Sequence, residues 1–411
     1  MRFLLMSVLW AGLAVFAVHA ADTPAPKTDD GKESFAKLKA EFQTEMTKTR
    51  EAIQKSRKAA RDERFAAQKA VDDAKTDEEK KAANDRLEEA KKQPEKSDMV
   101  VIQDLNRKFS GRFLNYAATH LNDADAFNST EYALQTSGGP VDSGDNWNAA
   151  LKLISAHFVT KPEVGRLRKA LAEYDDEPAY RVLREIMAKN PDRKVQGKAC
   201  KALADGLADA VETADNLKSN EKFKEQFQKQ TSKAYVDKLL AHAETNKKQA
   251  DELRKLLSEK YTDVIPDLSV GKAVPEVLCQ DLEGKPVKLS DHKGKVVVLD
   301  IWATWCGPCR QMIPHEREMV EKLKDKPFVL ISVSGDDERK TLTDFLEKNK
   351  MPWTHWWNGP EAGIMDDWDI DHFPSVFVID AKGVIRFKEV RGPELEEAVE
   401  KLLKEIDKKE S

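Results

Sequence analysis

Cysteine is scarce in this chain: 411 residues contain four, Cys200, Cys279, Cys306 and Cys309. That is too few to staple a fold of this length, so disulfides do not carry the structure. Charge of one sign is lacking as well. Sixty-eight Lys and Arg face 73 Asp and Glu, for a formal net charge of -5. There is no basic excess to hold nucleic acid and no acidic tail. Only residues 3–18 form a long uncharged apolar run, so a membrane span further along is excluded. Histidines number eight. His315 and His355 have no partner at metal or triad spacing, so no metal and no cofactor is expected.

What is present divides the chain into segments. Arg2, the run Phe3 to Val18 and the small-x-small Val18-His19-Ala20 read as a signal peptide over 1–20. The alternative, an uncleaved anchor, would be short for a full span. Pro24, Pro26 and Gly31 mark 21–32 as a linker. About half of residues 33–97 are charged, with Phe35, Leu38, Phe42, Met46, Thr49 and Ile53 at spacings of three and four. This predicts a charged helical segment with one apolar stripe, either a coiled coil that pairs with a partner or with itself, or a solvated helical hairpin. Alanine takes over the stripe after Ile53, which favours the hairpin. Residues 98–262 read as an α-helical domain, punctuated at Ser137-Gly138-Gly139-Pro140, Lys161-Pro162 and Asn190-Pro191-Asp192. The stretches 166–189 and 195–214 look like paired-helix repeats, though one copy of each fixes no period.

Residues 263–411 read as a further domain, and from Val270 onward the pattern alternates strand and helix. Strands are predicted at 295–302, 328–334, 375–379 and 384–390, with helices at 308–324, 338–349 and 393–408. The 295–302 run is apolar on both faces, as a central strand should be. The expected class is α/β, a central mixed sheet flanked by helices, after an all-α N-terminal region.

The predicted central strand runs into Trp305-Cys306-Gly307-Pro308-Cys309-Arg310 and then a helix. Cys306 therefore stands at a helix N-terminus, where free N–H groups and the helix dipole favour an anion. The thiolate is that anion, and it is the nucleophile. Pro308 suits the first turn because it has no N–H to leave unpaired. The two-residue spacer lets Cys309 reach back and resolve a mixed disulfide on Cys306. A half zinc site is the alternative, but no second ligand pair follows at suitable spacing.

These residues resemble the thioredoxin superfamily. Pro314 matches its helix proline, Asp300 its buried acid six residues before the first cysteine, and Phe373-Pro374-Ser375 the loop whose cis-proline faces the active site. Residues 271–405 are similar to the TlpA/ResA-like envelope redoxins of AhpC/TSA type, through Asp281-Leu282-Glu283-Gly284-Lys285, Leu289-Ser290 and Lys293-Gly294-Lys295. The resemblance implies a redox-active Cys306–Cys309 disulfide, with Trp305, Phe373 and Pro374 at the substrate. Asp300 is placed to take the proton of Cys309. It also implies protein disulfides as substrates and an envelope or membrane dithiol as electron donor. The Gly307-Pro308 spacer is that of reducing thioredoxins. A thiol peroxidase would want threonine where Ala303 stands. A second function class is an envelope scaffold whose helical half binds a partner and carries an accessory redoxin. Cys200 and Cys279 read as buried apolar filler, a third redox thiol or a mutual disulfide being the alternatives. Trp353, Trp356, Trp357 and Trp368 read equally as a substrate groove or as core.

Overall fold

The computed structural model describes residues 34–410 apart from 92–95, 143–144, 230, 360–362 and 371. The expected signal peptide and linker lie outside the described residues. The chain divides into two compact units between Arg254 and Lys255. No helix among the described residues is long and apolar enough to cross a membrane.

Among the described residues the first unit is all helical. The first described helix, Phe35–Asp73, starts where the Ser34 hydroxyl accepts the amide of Lys37, closing one of the N–H groups a helix start leaves open. The apolar stripe at three-four spacing is the face it buries. Phe35, Leu38 and Phe42 pack with Phe109 and Phe113 of helix Lys96–Thr119. Further along, Ala67 and Val71 meet Leu87 and Ala90 of helix Asp77–Lys91. The alanine-rich half thus packs helix on helix within the chain. A larger core joins helices Asn146–His157, Glu177–Lys189 and Arg193–Ser219 around Trp147, Leu171, Leu183 and Leu203. Of the two stretches read as paired-helix repeats, 195–214 lies within the single helix Arg193–Ser219, whereas 166–189 holds two helices, Arg168–Ala172 and Glu177–Lys189. The latter stretch breaks before Glu177, where Asp176 caps Ala179 and Pro178 takes the first turn.

The second unit is built on a seven-stranded sheet. The strands are β1 Leu278–Gln280, β2 Pro286–Lys288, β3 Val296–Trp302, β4 Phe328–Ser334, β5 Thr354–Trp357, β6 Ser375–Ile379 and β7 Ile385–Lys388. Their order is β2-β1-β5-β4-β3-β6-β7. β3 pairs in parallel with β4 and antiparallel with β6, so it is central, and all seven of its residues are buried. Side chains alternate across a strand. Val297, Leu299 and Ile301 enter one core with Trp356, Trp368 and Phe377. Val296 and Val298 enter another with Met319, Leu323, Leu395 and Leu402.

The alternation predicts helices on both faces, but the long ones gather on one. Helices Gly307–Lys322, Arg339–Lys348 and Pro393–Glu410 pack on the face of Val296, Val298 and Trp302. The steps β3 to β4 to β5 run the same way across the sheet, and right-handed crossovers put both connecting helices on one side. The other face is covered by the short helix Ile364–Asp367, Trp368 and the Leu289 turn. The groove reading of the tryptophans is overturned. Trp356, Trp357 and Trp368 are buried in the cores, and Trp353 is partly buried. Burying such large rings stabilises a sheet more than exposing them would.

Candidate active site

β3 ends at Trp302 and the chain turns through Ala303, Thr304 and Trp305 into the helix Gly307–Lys322, with Cys306 as its N-cap. The Cys309 amide donates to Cys306 Sγ at 3.2 Å, and the two sulfurs form a disulfide. Both cysteines are buried, beside Trp302, Ala303 and Ile313. Trp305 is 70% exposed next to them. The turn points this large apolar ring outward into solvent.

The turn is held from the neighbouring strand. The Thr304 amide and hydroxyl both donate to the buried Asp336 carboxylate, the hydroxyl at 2.8 Å. Ser334 Oγ donates to the same carboxylate at 2.7 Å. Sequence reasoning missed Asp336. The only available signal was its position just past the end of a strand that could run parallel to β3, which brings the two C-terminal ends together.

Opposite the cysteines stands the loop before β6. The Phe373–Pro374 bond is cis. Phe373 lies against Trp305, ring centroids 5.6 Å apart. Gly335 makes room for this, since a Cβ there would come within 2.7 Å of the Phe373 ring. Arg391 donates to the Pro374 carbonyl at 2.9 Å, a tie absent from the sequence reading. Cys306, Cys309, Trp305, Phe373 and Pro374 are thus brought together.

Asp300 lies two residues before Trp302 on the same face of β3 and is 4% exposed. Ser332 Oγ lies 3.5 Å from its Oδ2, and Oδ1 has no protein partner. Burial pushes its carboxyl up to about 7, against smaller lowering by the Ser332 hydroxyl and the Arg391 charge. Glu316, also buried, is held well above the usual carboxylate range by burial and by the nearby Asp300 charge. It too escaped the sequence reading, because His315-Glu316-Arg317-Glu318 looks like a solvated helix face.

Cys279 and Cys200 are buried and stand outside the disulfide. Cys279 sits in the sheet core, where burial pushes its thiol up to about 12; Cys200 lies within helix Arg193–Ser219. A thiol so hard to ionise is a poor nucleophile. Cys200→Ala with Cys279→Ala is expected to leave exchange unchanged, and thiol titration of the denatured oxidised protein should find one disulfide. A second disulfide, or lost turnover, would show that they take part. Among the described residues no group of three or more His, Cys, Asp or Glu is placed to hold a metal ion.

A disulfide at a helix start, carried by the central strand of a mixed sheet and facing a cis-proline, defines the thioredoxin-fold thiol–disulfide oxidoreductases. Residues 270–388 match the AhpC/TSA family. The thiol–disulfide oxidoreductase ResA of Bacillus cereus is 32% identical over 155 residues, 36% of this chain and 86% of that protein. The thioredoxin-like protein YneN of Bacillus subtilis is 29% identical, over 32% of this chain and 76% of its own length. A thiol:disulfide interchange protein from Bacteroides sp., solved in solution, is 31% identical over 33% of this chain and 91% of its own, with a TM-score of 0.31. The chain belongs to the ResA-like thiol–disulfide oxidoreductases, and it is an enzyme of that class.

Proposed function

We propose that the chain is an exported reductase of protein disulfides, with residues 263–411 as its redoxin domain. The observation that carries this reading is the Cys306–Cys309 disulfide at the helix N-terminus, with Cys306 Sγ accepting the Cys309 amide. In the dithiol form, the Cys306 thiolate attacks one sulfur of a substrate disulfide. The other substrate sulfur leaves as a thiolate and takes a proton. Cys309 then gives its proton to Asp300, directly or through water, and its sulfur attacks Cys306 Sγ. The second substrate thiolate leaves, is protonated, and the enzyme disulfide is formed. Two electrons have passed to the substrate, and an envelope dithiol restores the enzyme.

Trp305, Phe373 and Pro374 form the surface that receives the substrate chain. Arg2, the run Phe3 to Val18 and Val18-His19-Ala20 support export. The Gly307-Pro308 spacer supports reduction over oxidation. Equilibration of the full chain with glutathione tests the direction. The expected potential lies nearer the roughly -270 mV of thioredoxin than the roughly -120 mV of a strong oxidant. A value near the latter would make the enzyme an oxidase and defeat the reading.

A further inference from the structure

The mechanism uses one buried acid and leaves another idle. Glu316 lies on the active-site helix two turns past Cys309 and is 2% exposed. Its neighbours locate it. Cys309 and Ile313 pack with Trp302. Met319 and Leu323 pack with Val296 and Val298. Along β3, Val296, Val298, Asp300 and Trp302 share this face. Glu316 lies between Ile313 and Met319 on the helix, so it falls opposite Asp300, which lies between Val298 and Trp302 on the strand. Each carboxyl has one oxygen, Asp300 Oδ1 and Glu316 Oε1, with no protein hydrogen-bond donor.

Stability does not explain the pair. A buried, unpartnered carboxyl on a helix face that otherwise packs Ile313 and Met319 costs folding free energy, where leucine would add to it. The charged and titratable groups around the pair are few. Ser332 faces it from β4, while Arg391 and Glu389 act from the segment after β7 with opposing effects on Asp300. His315, beside Glu316 on the helix, lies 3.9 Å from Glu396 of the C-terminal helix. Two carboxyls that share a buried site cannot both ionise freely, and their titrations belong to the pair.

We propose that Asp300 and Glu316 form a carboxyl pair that holds one proton between them, with Glu316 as the positioning residue that keeps this proton beside Asp300. As a monoanion the pair accepts the proton of Cys309 and becomes the neutral diacid. It returns that proton to solvent or to the departing substrate thiolate. No electrons move in this step. The pair stands on its own geometry; its catalytic use rests on the base role given to Asp300 above.

Infrared titration of the buried carboxyls, on the oxidised full-length protein, tests the pair directly, because disulfide cysteines do not titrate. The wild type should show two ionisations. Asp300→Asn should leave one, that of Glu316, moved down by about one pH unit or more. Glu316→Leu should leave that of Asp300, moved up, because its anion has lost the shared proton. Glu316→Gln keeps a donor, so it should hold Asp300 nearer its wild-type midpoint, and it covers the case in which the leucine variant fails to fold. If each carboxyl titrates at the same pH with or without the other, the pair is overturned. The base role is judged separately, from the pH profile of mixed-disulfide resolution. Paired carboxyls with a profile that ignores Glu316→Leu would uphold the pair and reject the base role.

Discussion

Cys306→Ser should abolish exchange, lowering turnover by roughly 10³-fold or more, since without the nucleophile no mixed disulfide forms. Cys309→Ser should behave differently. It keeps the attacking thiol but loses the resolving one, so substrate should accumulate on Cys306 as a covalent complex. The geometry gives the reason for this division. Cys306 is the N-cap and its sulfur accepts the Cys309 amide, so the charge of its thiolate is met by the open N–H groups of the first turn, worth about 0.3–1 kcal/mol or more when partly buried. Cys309 lies inside the first turn, buried against Trp302 and Ile313. Dithiothreitol-driven reduction of insulin measures the first effect, and non-reducing gels of the Cys309→Ser protein show the second. Full activity in Cys306→Ser, or trapping that survives Cys306→Ser with Cys309→Ser, would remove Cys306 from the chemistry.

The second large effect belongs to Asp300→Asn. Release of substrate from Cys306 should slow by about tenfold. General-base help is typically worth about 10²–10⁴-fold, and water substitutes for part of it. The fold should meanwhile gain stability, or keep it. The sign follows from linkage. Burial raises the folded carboxyl to about 7, above the roughly 3.9 of an unfolded aspartate. Between those values the folded state binds the extra proton, so stability falls as pH rises from about 4 to about 7 and levels off above. Asparagine carries no proton to lose, so this part of the pH dependence should vanish, on the order of a few kcal/mol at most. A purely structural aspartate predicts the opposite pattern. The mutant would then melt earlier in urea at pH 7, while its folded fraction resolved mixed disulfides at the normal rate. Stopped-flow resolution and urea melts on one preparation separate the two.

Much of this was legible from local pattern. The three-four stripe of Phe35, Leu38, Phe42 and Met46 is the face the first helix buries. The apolar run at 295–302 is the central strand, and Asp300 is the one acid in it. Cys306 and Cys309 stand where the strand-to-helix reading puts them. What escaped depends on distant residues meeting. Asp336 holds the active-site turn only because β4 runs parallel beside β3. Glu316 reads as one more charge on a charged helix until Asp300 is set opposite. β5 was hidden in Pro352-Trp353-Thr354-His355-Trp356-Trp357, four residues of strand too short and too aromatic to separate from a binding surface by periodicity alone. Arg391 joins the Pro374 carbonyl across 17 residues, a separation at which sequence spacing carries no information.

The two ends of the sheet have a consequence for how the domain meets other chains. An outermost strand with free amides and carbonyls invites any extended chain to add itself, which is how aggregation starts. Here β2 is three residues long, opens with Pro286 and closes with Lys288. At the other end β7 is four residues, carries Arg386 and Lys388, and is displaced from regular register where it meets β6. Prolines, lysines and irregular register are the devices that blunt such edges. Ile385 of β7 is moreover already engaged, its carbonyl accepting the Gly271 amide and its amide donating to Lys272, so neither margin offers a long open edge to a non-native polypeptide.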